Sequence, residues 1–323
     1  MKHFLLILFF CIKSSFLIAQ VGGESVYTFL KLNMSSNYSA LGGFVPSVDI
    51  QGANAMTSNP ALVDSLDYLT ASINYISYVA GIHYGSALYC GKIGEKTMLS
   101  GYAEFFDYGD FSLTDETANS LGNFTCKDHV LAVSSSRDFF KNLRFGATLK
   151  TVFSSLETYK SSALSFDFGI LYYLESQMIN FALTAADLGF QLKPYTENNR
   201  EKLPFDLRFS FSKMLAHAPF RFAITMHNLQ KPTLDDDFLT SFANHFILSA
   251  EIFPQKVVSL KAGFNFMAHN DLYISDMSPF PGFSFGIDVR VKKFSVQYSR
   301  QSIAFGSASN LLSIELFFNH FKI

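Results

Sequence analysis

Leu203-Pro204-Phe205-Asp206-Leu207-Arg208-Phe209-Ser210-Phe211-Ser212, followed after residues 213–219 by Phe220-Arg221-Phe222-Ala223-Ile224-Thr225-Met226-His227-Asn228, is the stretch on which the fold turns. Phe205, Leu207, Phe209 and Phe211 alternate with Asp206, Arg208, Ser210 and Ser212, and the second half repeats the pattern. Such alternation makes β-strands with one apolar and one polar face. The connection is too short for a crossover helix, so the two strands pair as an antiparallel hairpin. A soluble sandwich usually buries a face rich in Val, Leu and Ile. Here the apolar face is mostly Phe and the polar face carries both charge signs, which equally suits a barrel with lipid outside and water or side-chain networks inside.

The whole chain agrees with that reading. It has 323 residues, 49% hydrophobic and 16% charged, with a formal net charge of -2. No basic excess exists to neutralise a phosphate backbone, which argues against nucleic acid as a partner. Phe at 37 and Tyr at 15 are abundant while Trp is absent, so Tyr alone would supply any interfacial girdle against outer-membrane lipid.

Residues 1–19 have the layout of a secretory signal peptide: Lys2 and His3, an apolar run over 4–12, then a cut before Gln20. The run is too short to span a bilayer. Phe9-Phe10 before Cys11 do not suit lipid anchoring. Residues 20–67 are then read as a short helix plus irregular backbone, either plugging the barrel or lying in the periplasm. Asn59-Pro60 within them marks a turn or the first turn of a helix.

From residue 68 to 323 the chain reads as an outer-membrane barrel. Strand candidates fall at 69–78, 83–91, 97–108, 124–137, 142–153, 161–173, 178–188, 203–212, 219–228, 244–253, 257–267, 281–291, 293–301 and 308–318. That is an all-β, transmembrane antiparallel β-barrel of about 14 strands with an N-terminal plug segment. Short connections alternate with mostly longer ones, as periplasmic turns alternate with external loops, the short 79–82 excepted. The polar faces place Arg144, Lys150, Asp167, Asp206, Arg208, Arg221, Lys261, Asp288, Arg290 and Glu315 in the lumen. A one-residue slip would put Asp288 and Arg290 in lipid, at about 2–4 kcal/mol for a mid-membrane Arg alone. Such mixed charge predicts a lumen cross-linked by ion pairs, with a wet channel as the other arrangement.

Gln20-Val21-Gly22-Gly23-Glu24-Ser25, Ala40-Leu41-Gly42-Gly43, Asn59-Pro60-Ala61-Leu62, Gly189-Phe190-Gln191-Leu192-Lys193-Pro194-Tyr195, Asn199-Arg200-Glu201-Lys202-Leu203-Pro204-Phe205 and His217-Ala218-Pro219-Phe220-Arg221-Phe222 occur in that order. The ordered set resembles the PorV/PorQ family of the Bacteroidetes type IX secretion system and covers essentially the whole mature chain. That family is similar to FadL-type fatty-acid transporters in having a fourteen-stranded plugged barrel. The resemblance implies a non-enzymatic scaffold in the Gram-negative outer membrane, within an attachment complex that holds PorZ-like, PorU-like and PorV-like partners while cargo is processed. The other function carried here is a FadL-like channel for hydrophobic small molecules; a soluble periplasmic β protein is a third. No single functional residue follows from the resemblance.

Several signals compete with this picture. Gly282-Phe283-Ser284-Phe285-Gly286 fits the nucleophile-elbow pattern of esterases, but an elbow needs a strand turning into a helix, and here alternation runs on to Val291. Neither a metal-binding His pair nor a phosphate-binding loop occurs, and no cofactor is expected. Asp235-Asp236-Asp237 reads as a solvated loop tip or, less simply, as a calcium site. Cys90 and Cys126 fall at opposite ends of their strands and are expected to stay free thiols. Connections held by a rigid barrel commonly carry recognition. Lys193, Tyr195, Arg200 and Glu201 in 189–202 are therefore the candidate partner-binding residues, unless that loop folds inward as a lid.

Overall fold

The computed structural model describes residues 25–320, apart from 95, 118, 198, 236, 255, 274–279 and 305–306. The signal-peptide reading of 1–19 and the first residues of the plug lie outside the described residues.

Fourteen strands form one closed antiparallel sheet. They are β1 (Thr70–Ser77), β2 (His83–Ile93), β3 (Thr97–Thr114), β4 (Ser120–Phe140), β5 (Leu143–Leu156), β6 (Tyr159–Leu174), β7 (Ile179–Lys193), β8 (Asp206–Met214), β9 (Phe220–Met226), β10 (Phe246–Ile252), β11 (Val258–Asn265), β12 (Phe283–Arg290), β13 (Phe294–Ala304) and β14 (Ser307–Phe317). Each strand pairs with the next, and Ile73 of β1 meets both Ala87 of β2 and Ile314 of β14, which closes the ring. The expected strands are all present. Alternation sets the faces: Phe283, Phe285, Ile287 and Val289 point outward and are exposed, while Ser284 and Asp288 between them are buried.

The ring is uneven in height. β3 and β4 have 18 and 21 residues, and β5, β6 and β7 have 14, 16 and 15. β9 and β10 have 7 each and β11 and β12 have 8 each. Three stretches expected as loops are therefore partly strand. Residues 109–123 continue the β3–β4 ladder, with Phe111 stacked on its partner Phe124 at 5.4 Å; the turn after β5 shrinks to 157–158; β7 runs on to Lys193. In the first of these, a register shift between Asp107 and Asp110 resets which residues face out and interrupts the alternation.

Residues 25–67 thread the lumen. They form 3-10 turns at Thr28–Lys31, Pro60–Leu62 and Ser65–Asp67 and short helices at Ser36–Ala40 and Ala55–Ser58. Tyr38, Leu41, Val45, Met56 and Leu62 are essentially fully buried among Tyr84, Leu88, Met98, Tyr102 and Phe106 of the wall. The lumen therefore holds an apolar region beside the charged positions read from the sequence. On β2 to β4 much of the inner wall is aromatic or aliphatic because it packs against the plug's apolar side. Strands apolar on both faces lose the alternation that identifies a lumen.

Candidate functional site

Inward-pointing polar groups hold the plug on nearly every side. Ser36 N–H donates to Ser313 Oγ at 3.0 Å, and Asn54 Nδ2 donates to Glu315 Oε1 at 3.0 Å. Ser249 and Ser284 donate to the carbonyls of Leu41 and Ala40 at 2.7 and 3.1 Å, and Arg221 Nη1 donates to Asp49 O at 2.8 Å. The plug's irregular backbone thus finds partners that water would otherwise supply. Where it touches the wall most closely the wall residue is glycine: a Cβ at Gly146 would stand 2.3 Å from the Pro60 carbonyl carbon, and one at Gly169 1.9 Å from Asn59 Oδ1.

The predicted lumen charges all lie inside but fall into four groups. Arg144 on β5 reaches Asp138 at 2.8 Å and the plug's Asp64 at 3.4 Å. Lys150 bridges Asp167 at 2.8 Å and Asp187 at 2.7 Å. Arg208 binds Asp206 at 2.6 Å. The fourth group is a chain across five strands: Arg221 to Glu251, Glu251 to Lys261 at 3.2 Å, Lys261 to Asp288 at 3.5 Å, Asp288 to Arg290 at 3.5 Å, and Arg290 to Glu315 at 4.0 Å. Gln297 of β13 also donates to Glu315 at 2.8 Å. Sequence reasoning missed Glu251 and Asp187. The alternation Ile247, Ser249, Glu251 carried the first. The second was concealed by a bulge in β7, where Asp187 adopts φ 59°.

Most short turns and the last described residues lie at one end of the barrel, the periplasmic end in outer-membrane barrels, and the longest connections lie at the other, where the described chain begins with Val26 N–H donating to Lys202 O at 3.0 Å. At that external end a cavity of about 200 Å³ is bounded by plug residues Lys31 to Asn33 and Gly42 to Phe44, by wall residues Tyr84, Arg208 and Ile247, and by Met267 and Leu272 of the loop helix Phe266–Leu272. The Arg208 guanidinium covers the Phe44 ring at 4.1 Å and forms part of its floor. His227, buried at the rim, has no partner for Nε2 among the described atoms. Beneath the floor, the cavity beside Lys150 and Asp167 measures about 20 Å³, room for about one water. A separate hollow of about 320 Å³ opens at the periplasmic end between Asp49, Asp64, Arg221 and Arg290.

The four candidate partner-binding residues separate. Lys193 ends β7, and it, Arg200 and Glu201 are exposed. Tyr195 turns inward: its ring centroid lies 6.1 Å from that of Tyr27, and its hydroxyl bonds Ser154 Oγ at 2.5 Å. Leu203 beside it is buried in the core, so this connection folds partly over the lumen. Tyr195 is half-buried, so Lys193, Arg200 and Glu201 are the exposed members of the set.

In the acidic loop, Asp237 caps the helix Phe238–Ala243 by accepting from Thr240 N at 2.8 Å, which holds its carboxyl below the usual range. Asp236 lies outside the described residues, and no metal-binding group of His, Cys, Asp or Glu occurs among those described. Ser284 lies mid-strand with no elbow. Cys90 and Cys126 are free and buried.

A closed fourteen-strand antiparallel barrel around an N-terminal plug defines the class by its fold, which is similar to that of FadL-type outer-membrane barrels. Three solved structures share the fold over most of the chain. The toluene transporter TbuX of Ralstonia pickettii matches with a TM-score of 0.53 and 11% identity over 88% of this chain and 98% of its own. The monoaromatic hydrocarbon channel CymD gives 0.53 and 12% over 88% and 97%. The toluene transporter TodX of P. putida gives 0.52 and 11% over 90% and 100%. No protein-family model and no curated protein sequence matches the chain.

Proposed function

We propose that this chain is a non-enzymatic outer-membrane barrel that receives a small hydrophobic molecule at its external mouth. The observation that carries this reading is the mouth cavity, which combines Leu32, Phe44, Tyr84, Ile247 and Met267 with a few convergent polar groups. A concave, mostly apolar site with fixed polar groups is the usual form of a small-molecule site, and about 200 Å³ admits only a compact ligand. The neighbouring folds named as toluene and monoaromatic hydrocarbon carriers support the same ligand class. The test is saturable binding of toluene to the purified barrel in detergent, read by saturation-transfer NMR. Ile247→Asp should abolish the signal without unfolding the barrel. Toluene that partitions only into detergent, equally for both proteins, removes this reading.

A second reading is favoured by the seal itself. Ladder hydrogen bonds link all fourteen strands, the plug is bonded to the wall, and the cavity beside Lys150 and Asp167 holds about one water. A FadL-like uptake route needs an apolar path to a gap in the wall, and these features oppose one. They suit a scaffold, and the ordered motifs resembling the PorV/PorQ family support a role in a Bacteroidetes type IX attachment complex. Exposed Lys193, Arg200 and Glu201 would then contact PorZ-like, PorU-like or PorV-like partners. Affinity purification from native outer membranes discriminates: the scaffold reading requires these partners to co-purify and to be lost in Arg200→Glu/Glu201→Lys. Retention of every partner by that variant removes the loop from the contact.

A further inference from the structure

The low side of the barrel is too short for a membrane. β9 and β10 have 7 residues each. At about 3.3 Å per residue and a tilt near 40°, seven residues rise about 18 Å, whereas the apolar band of an outer-membrane barrel is about 25 Å tall. The same arc carries the helix Phe238–Ala243 in the connection between β9 and β10, and Phe266–Leu272 after β11.

Phe238–Ala243 is amphipathic in the wrong sense for a water-facing loop. Ser241 is buried against the protein, where its Oγ accepts from Leu234 N at 2.8 Å. Phe238, Leu239 and Phe242 point away from it and are 77%, 73% and 54% exposed. Three large apolar side chains on one turn and a half form a patch that calls for an apolar neighbour. That neighbour is indicated by continuity. The Phe238 ring stacks on Phe242 at 6.5 Å, and Phe242 packs edge-on against Phe246 at 5.1 Å. Phe246 starts β10 opposite Met226, on the outward face that also carries Leu248 and Ile252. An unbroken apolar row therefore climbs from the strand onto the helix. The second helix repeats the arrangement: Phe264, outward on β11, packs against His269 at 5.3 Å, and His269 against Tyr273 at 5.5 Å.

We infer that these two loop helices are membrane elements, inserted in the outer leaflet so that Phe238, Leu239, Phe242 and Tyr273 complete the hydrophobic belt above the shortest strands. Their occupant is acyl chain. Short helices that lie in an interface with their apolar side toward lipid are a known mode of attachment. The inference does not depend on what the mouth cavity binds. It has a consequence for that cavity all the same: Phe266–Leu272 presents Met267 and Leu272 to the cavity and His269 to the outward row, so one helix separates lipid from the mouth.

The chain contains no Trp, so single-Trp variants report without background. Phe238→Trp, Leu239→Trp and Phe242→Trp are compared with Leu248→Trp on the outward face of β10 and with Thr117→Trp at the exposed tip between β3 and β4. Each is refolded into vesicles of brominated phosphatidylcholine free of other proteins, and folding is confirmed by heat-modifiable migration. The expected result is quenching of the helix positions at least half as strong as at Leu248→Trp and several-fold stronger than at Thr117→Trp, with poor access to aqueous iodide. Helix positions that behave like Thr117→Trp, open to iodide and unquenched by bromolipid, overturn the inference and leave the patch as a face for a protein partner. Three positions keep the test decisive should one variant fail to fold.

Discussion

Gly263 on β11 lies directly beneath the plug at Leu41: a Cβ on it would stand 2.0 Å from the Leu41 carbonyl carbon and 2.1 Å from the Gly42 nitrogen. The obstacle is backbone on both sides, so neither partner can swing away as a long side chain would. On the opposite wall Gly146 and Gly169, paired across β5 and β6, hold the Asn59-Pro60 corner, Gly146 against the Pro60 and Ala61 backbone and Gly169 against the Asn59 side chain. The plug is therefore clamped between two glycine seats.

Gly263→Ala should accordingly unseat it. Overpacking of a filled interior costs about 1–3 kcal/mol. The expected outcome is a lower guanidinium midpoint together with faster proteolysis within residues 25–67. Gly91→Ala, where the added methyl would lie 3.5 Å from its nearest neighbours, should leave both unchanged. Equal behaviour of the two variants would show that close contact at Gly263 does not position the plug.

Lys150 is buried between two buried carboxylates. Removing its charge alone leaves Asp167 and Asp187 facing each other without a cation, and breaking a buried pair in that way costs about 3–5 kcal/mol. Lys150→Met should therefore destabilise the barrel strongly. Adding Asp167→Asn and Asp187→Asn should recover much of the loss, because an Asn amide oxygen can still accept the Asp187 backbone N–H that now donates to Asp167 at 2.8 Å. Guanidinium unfolding of the single and triple variants checks this.

The plug's periplasmic side should respond to pH. Asp49 is half-buried there, and loss of water, reinforced by the Asp64 carboxylate, pushes it up to about 6. A carboxyl raised on folding favours the seated plug fully below its ordinary value, and that contribution is lost as pH rises through about 6. Asp49→Asn removes the ionisation. The variant and the parent should exchange plug amides at equal rates near pH 4, and the variant should exchange them more slowly at pH 8. Faster exchange in the variant at pH 8 would mean that the ionised carboxylate holds the plug.

Strand count, closure and facing were legible because one face meets lipid and the other a polar interior, so each strand of β8 to β12 carries a period of two in plain view. The apolar lumen beside the plug was not legible: at Leu88, Met98 and Phe106 both faces are apolar and the alternation vanishes. Nor was Asp187, since a bulge shifts parity without any sequence mark stronger than a weakened alternation. Arg208 and Asp206 were placed in the lumen from the pattern alone, but their pairing with each other, and the Phe44 ring beneath Arg208, needed the plug in place. The inward turn of Tyr195 was not legible, because a polar, aromatic loop motif looks the same whether it faces water or folds back onto Tyr27.

The cysteines give a test of register that depends on no ligand or partner. Cys90 pairs with Thr70 at the start of β1, next to the end where the described chain finishes, while Cys126 pairs with Leu156 at the external end of β5. A disulfide needs Cα atoms within about 7 Å, and these two lie on different levels of different strands. Both are buried, so the folded barrel should react slowly with maleimide at either thiol. Unfolding in denaturant should release both for labelling without a reductant, and migration should be the same with and without dithiothreitol. A bridged species in freshly isolated outer membranes would require β2 and β4 to be displaced along the barrel axis, and the outward placement of Leu131 and Val133 on β4 would then have to be rebuilt.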